Sequence, residues 1–118
     1  MPAYVMAHVH ATNFGPEIIE YLRSVDATMQ PFGGRFLVHG GPVDAVEGTW
    51  SGDLIIIEFP DLGSARGWYE SPAYVAIRPL RTENTTADTI IFDGLPAGRV
   101  PGQVGPRPRA PRRQVTAA

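Results

Sequence analysis

The first ten residues alternate. Ala3, Val5, Ala7 and Val9 fall on one side of an extended chain, and Tyr4, Met6, His8 and His10 on the other, a period of two that predicts a strand. Thr12 and Asn13 read as turn and cap residues, and Pro16 suits the first turn of a helix. Ile18, Tyr21, Leu22, Val25 and Met29 follow at helical spacing, which predicts an amphipathic helix over about 16–30. Pro31-Phe32-Gly33-Gly34 ends it. Arg35 to His39 reads as a second strand, broken by Gly40-Gly41-Pro42; Val43 to Glu47 reads as a short edge segment before a turn over 48–52. Leu54 to Phe59 is apolar on both faces apart from Glu58, as expected of a central strand. Asp61 is placed to cap a helix over about 62–70. Ser71-Pro72 starts another that runs to about 83, with a break expected near Pro79, and Thr89 to Phe92 forms the last strand.

The order is β-α-β-β-α-β with the second helix split in two. This is the α+β, ferredoxin-like, split βαβ pattern, in which an antiparallel sheet carries its helices on one face. The other face must then meet water, a ligand or another subunit. Tyr4 and Met6 lie on it, Leu54 and Ile56 are expected to join them, and such a surface is too apolar to stay wet. A second copy of the chain is the simplest cover, so a homodimer is expected. After Gly94 the composition changes: residues 96–118 hold five prolines and five arginines and little that builds a core. The reading is therefore one domain over 1–95 and a disordered Pro/Arg-rich tail over 96–118.

Composition narrows the chemistry. The chain has no cysteine, which removes disulfides, thiolate metal sites and cysteine nucleophiles. All ten basic residues are arginine, so Schiff-base catalysis and a phosphate-loop lysine are excluded as well. Residues 1–95 carry five arginines and twelve acidic residues, a formal −7, whereas 96–118 carry five arginines and no acid. The basic tail binds nucleic acid only weakly and without sequence choice, so no specific nucleic-acid partner is expected. No apolar run approaches the roughly 20 residues of a membrane-spanning helix, and the N-terminus lacks a charged segment followed by a long apolar one. A cytoplasmic location with no membrane partner is the default expectation. Neither Gly33-Gly34 nor Gly40-Gly41 fits a dinucleotide or phosphate loop, and no Gly-x-Ser-x-Gly elbow is present.

Three stretches carry a resemblance: GGRFLVHGGPVDAVEG (33–48), LIIIEFPDLGSARGWYESPAYVAIRPLR (54–81) and ADTIIFDG (87–94). Together, over about residues 3–95, they resemble the bacterial domain of unknown function 1330 family, within the dimeric α+β barrel superfamily. The resemblance implies a ferredoxin-like fold and a dimer whose two sheets face one another around a cavity. It implies no activity. Members of the superfamily include cofactor-independent monooxygenases, haem-degrading enzymes, isomerases and sensing domains. The haem-degrading relatives use a histidine on the second helix, and residues 62–84 contain none.

The candidate site is the open sheet face. If alternation holds, His8 and His10 share it with Glu58, while Arg35, Leu37 and His39 share one face of the second strand. A carboxylate orienting a histidine makes a general base, with His8, His10 or His39 as base, Glu58 as its partner and Arg35 holding an anionic or enolate oxygen. The plainer alternative is that these groups satisfy one another at a dimer interface. His8-x-His10 with His39 and Glu58 has ligand types that suit zinc, but the match is short and no resident metal is expected. Trp68, Tyr69 and Tyr74 read first as core; the family signature W-Y-x-SP-x-Y implies that Trp68 and Tyr74 line the cavity mouth. With Tyr4 and Arg81, whose plainer role is a surface pair, they are the candidate ligand contacts. The reading is a homodimer with a small-molecule cavity, acting without a cofactor in acid–base or oxygenation chemistry on a small organic molecule. Its rival is a non-catalytic ligand-binding or accessory protein on the same scaffold.

Overall fold

Four strands and three helices form in the order β1 (Ala3–Thr12), α1 (Pro16–Met29), β2 (Arg35–His39), β3 (Asp53–Phe59), α2 (Leu62–Tyr69), α3 (Pro72–Thr82) and β4 (Thr85–Asp93). They come from a computed structural model that describes residues 1–95 and Gly102. The expected tail, 96–118, lies outside the described residues apart from Gly102. The strands make one antiparallel sheet in the order β2-β3-β1-β4. This is the ferredoxin-like α+β arrangement expected from the pattern.

Local chemistry fixes the helix ends. Asp61 accepts a hydrogen bond from the Ser64 amide at 2.7 Å and caps α2; the Ser71 hydroxyl accepts from the Tyr74 amide at 3.3 Å, with Pro72 in the first turn of α3. The α1 cap differs from expectation: it is Gly15, and the Asn13 amide instead donates to the Asn84 carbonyl. Pro79 does not break α3, which continues to Thr82. Residues 40–52 form no strand, so the expected edge segment at 43–47 is loop, while β4 starts four residues earlier than expected.

The core lies between the sheet and the helices. Ala3, Val5, Ala7 and Val9 are buried, as their alternation requires, beneath Val25 and Met29 of α1 and Ala65, Trp68 and Tyr74 of α2 and α3. Trp68 is 1% exposed and its indole N–H donates to the Thr28 hydroxyl at 2.9 Å, so its polar atom is satisfied inside the core. No helix among the described residues is long and apolar enough to cross a membrane.

Candidate functional site

Strand register decides which polar residues meet. β1 pairs with β3 so that Tyr4 faces Glu58, Met6 faces Ile56 and His8 faces Leu54. On the other side β2 pairs with β3 so that Arg35 faces Glu58. Glu58 therefore lies between Arg35 and Tyr4 on the open face. Arg35 donates to Glu58 Oε1 from Nε at 3.0 Å and from Nη2 at 2.8 Å, and the Tyr4 hydroxyl reaches Oε2 at 3.5 Å. The expected partner for a carboxylate in an apolar strand is present, and it is Arg35 rather than a histidine. His8 stands opposite a residue four positions away from Glu58, roughly 13 Å along the strand.

The two histidines of β1 form a separate group. His8 Nε2 lies 2.7 Å from the Ser51 carbonyl, and its ring stacks on Trp50 at 4.0 Å between centroids. The β1–β4 pairing shifts between Val9 and Ala11, and His10 at that shift pairs with Asp88 at 2.8 Å. The His8 contacts help hold the 40–52 loop against the end of the sheet, while the His10–Asp88 pair joins β1 to β4. Gly52, at φ +88°, passes so close to the Val9 carbonyl that any Cβ there would clash with it.

His39 departs furthest from its expected place. The β2–β3 register shifts between Phe36 and Val38, leaving Leu37 as the extra residue. A one-residue bulge reverses the alternation beyond it. Val38, opposite Ile56, therefore takes the open face, and His39, opposite Ile55, turns to the helix side, where its ring lies flat on Phe36 at 4.1 Å. His39 thus cannot join His8, His10 and Glu58, and among the described residues no three His, Asp or Glu side chains converge on one point.

On the helix side His39 borders a cavity. One lobe, of about 250 Å3, runs between β1, β3 and α1, with Val9, Ile18, Leu22 and Ile55 among its apolar walls and Asp53 and Thr85 at its edge. A smaller lobe of about 40 Å3 reaches inward to Trp68, Tyr69 and Tyr74. Tyr21, His39, Ile55 and Arg81 border both lobes and so mark where they meet. Of the residues singled out in the sequence, His39, Trp68, Tyr74 and Arg81 come together here, while Tyr4, His8, His10, Arg35 and Glu58 remain on the opposite face.

The polar groups at the junction are linked. The Tyr21 and Tyr74 hydroxyls lie 2.7 Å apart, and Arg81 Nε donates to the Tyr74 hydroxyl at 3.3 Å. Burial, followed by the neighbouring Tyr74 hydroxyl, raises the Tyr21 pKa far above its ordinary value, so Tyr21 is a neutral phenol. Burial works against the charge of Arg81, but the phenol oxygens of Tyr74, Tyr21 and Tyr69 outweigh it and raise its pKa. Among the described residues no carboxylate lies within ion-pair distance of Arg81. Arg78, by contrast, has a carboxylate beside it: it stacks over the Tyr69 ring at 4.5 Å, donates to the Tyr69 carbonyl and lies 4.0 Å from Glu70 Oε1. Sequence reasoning missed Tyr21, because its position in the α1 stripe reads as core; the available signal was a hydroxyl where an aliphatic side chain would pack as well.

No curated protein sequence matches the chain. Among solved structures, the methylated RPA0582 protein of Rhodopseudomonas palustris is similar at a TM-score of 0.61 and 16% identity, over 83% of this chain and 84% of that one. A dimeric ferredoxin-like protein of unknown function from Jannaschia sp. CCS1 gives 0.54 at 6% identity, over 80% and 100%. SnoaB, a cofactor-independent oxygenase from Streptomyces nogalater, gives 0.50 at 13%, over 82% and 94%. At such identities the likeness is one of fold. The family model for the domain of unknown function DUF1330 matches residues 2–95, the whole span from β1 to β4, and the chain belongs to that family.

Proposed function

We propose that this protein binds a small organic molecule in the cavity between sheet and helices, as a homodimer that covers its open sheet face with a second copy. The observation that carries the reading is the junction of the two lobes, where an apolar pocket has a few polar groups converging on one place. That is the composition of a small-molecule site, and 250 Å3 lies just below the usual range of about 300–1,000 Å3. The dimer rests on the open face, where Ile90 and Phe92 are exposed beside Met6, Ile56 and Tyr4. The dimeric ferredoxin-like relative is consistent with it.

The chemistry open to this cavity is proton transfer without a cofactor. His39 is the base, taking a proton from an acidic C–H or O–H of the bound molecule; Arg81 and Tyr21 are placed to hold the resulting oxyanion. Dioxygen, where the reaction is an oxygenation, enters as a co-substrate, and the fold shared with SnoaB supports that class by analogy alone. Binding without turnover is the second reading. It is favoured by one observation: among the described residues no carboxylate orients His39. An NMR titration with a library of aromatic fragments tests the binding reading. Hits should move the amide signals of Tyr21, His39 and Arg81. Hits confined to His8, Trp50 and Glu58, or no hits at all, would contradict it.

A further inference from the structure

We infer that the ligand of this cavity is an organic anion, a carboxylate or enolate on a flat apolar body, whose negative oxygen is held by Arg81 and Tyr21. The inference rests on the cavity's being the binding site. Its warrant is the surplus of hydrogen-bond donors over acceptors at the junction of the lobes. Arginine has donors and no acceptor, so in the Arg81–Tyr74 contact the Tyr74 oxygen must accept. The Tyr21 and Tyr74 hydroxyls, 2.7 Å apart, share one hydrogen bond that either can donate, so one O–H of the pair is left to donate elsewhere, and Tyr21 is the member that borders both lobes. Among the described residues the two terminal nitrogens of Arg81 make no hydrogen bond, so they present donors as well. The junction therefore holds a cation and a neutral O–H donor that no acceptor among the described residues takes up, and the terminal nitrogens of Arg81 are not sealed from the cavity.

The counter-charge does not come from the protein nearby. Among the described residues Asp53 is the one carboxylate in the cavity wall; it is solvent-exposed at the start of β3 and does not come within ion-pair distance of Arg81. An unpaired, part-buried guanidinium is costly unless something else supplies the charge. A bidentate carboxylate or a delocalised enolate fits the planar fork, whereas a neutral alcohol or amide leaves the charge uncompensated. The apolar walls, Ile18, Leu22, Val9 and Ile55, require the rest of the molecule to be hydrocarbon-like.

The test uses two probes of one shape, 2-naphthoate and its neutral amide 2-naphthamide, titrated calorimetrically into the full chain. The naphthoate should bind at least about tenfold more tightly, as a charge-assisted hydrogen bond implies. Arg81→Met should abolish that preference, bringing the naphthoate and the amide to equal affinity. Arg81→Lys should retain part of it, and Tyr21→Phe should weaken the naphthoate several-fold and more than it weakens the amide. Circular dichroism of each variant establishes that it is folded, and the charge-retaining Arg81→Lys decides the matter should Arg81→Met unfold. Equal affinity of wild type for the two probes would overturn the anion inference and leave the cavity reading intact. Binding of neither would overturn both.

Discussion

On the open face of the sheet, Arg35 meets Glu58, His10 meets Asp88 and His8 meets the Ser51 carbonyl. On the helix-covered face, Arg81 and Tyr21 end at a cavity with donors to spare, and His39 borders it beside Phe36. Both faces carry histidine, arginine and tyrosine, so residue type alone does not separate them. The state of their hydrogen bonds does. A polar group already matched inside the chain is accounted for by the fold, whereas a part-buried cation with no counter-charge among the described residues points to something that arrives from outside. The open face is an apolar surface with its charges closed off, suited to another copy of the chain. The cavity is the face with chemistry left over.

The largest effect should come from the wall of the cavity, because it is also the core. Trp68→Ala removes a side chain that touches Phe59, Tyr69 and Tyr74, and should cost about 3–5 kcal/mol in urea unfolding. Ile90→Asp puts a charge on the open face without touching the core. It should halve the mass seen by light scattering while each protomer keeps its far-ultraviolet spectrum, and a wild type already monomeric at micromolar concentration would remove the dimer from the account.

Tyr21 gives a smaller effect that depends on pH. Its folded pKa is raised above the ordinary 10.0, so its contribution to stability is complete below pH 10.0 and is lost as the pH rises above it. The melting temperature of the wild type should fall more steeply between about pH 10 and 11 than that of Tyr21→Phe. Parallel curves would show that burial of the phenol does not govern alkaline stability. The smallest effect belongs to Glu58→Gln. Its side chain is 24% exposed and that of Arg35 is 70% exposed, so the pair should be worth about 0–1 kcal/mol. Probe binding in the cavity should not change; a large loss would move the functional site back to the open face.

The elements themselves were legible from periodicity. Alternation placed Ala3, Val5, Ala7 and Val9 on the buried face of β1, the apolar run marked β3 as a central strand, and the caps at Asp61 and Ser71 marked two helix starts. The site was less legible, for a specific reason. Arg35-Phe36-Leu37-Val38-His39 alternates equally well in either phase beyond Leu37, so nothing in the residues announces the bulge that carries His39 through the sheet. Register was hidden in the same way: that Glu58 faces Tyr4 and Arg35 rather than His8 is a property of strand pairing, which no single strand reveals. Tyr74 was legible through the family signature and Arg81 through the resembling stretch 54–81 that ends on it, whereas Tyr21 reads as one more core residue of the α1 stripe.

The most direct measurement is a structure of the protein with 2-naphthoate bound. The account predicts the carboxylate within hydrogen-bond distance of the Arg81 terminal nitrogens and the Tyr21 hydroxyl, with the rings among Ile18, Leu22 and Ile55. A carboxylate seated instead on Arg35, displacing Glu58 on the open face, would contradict it.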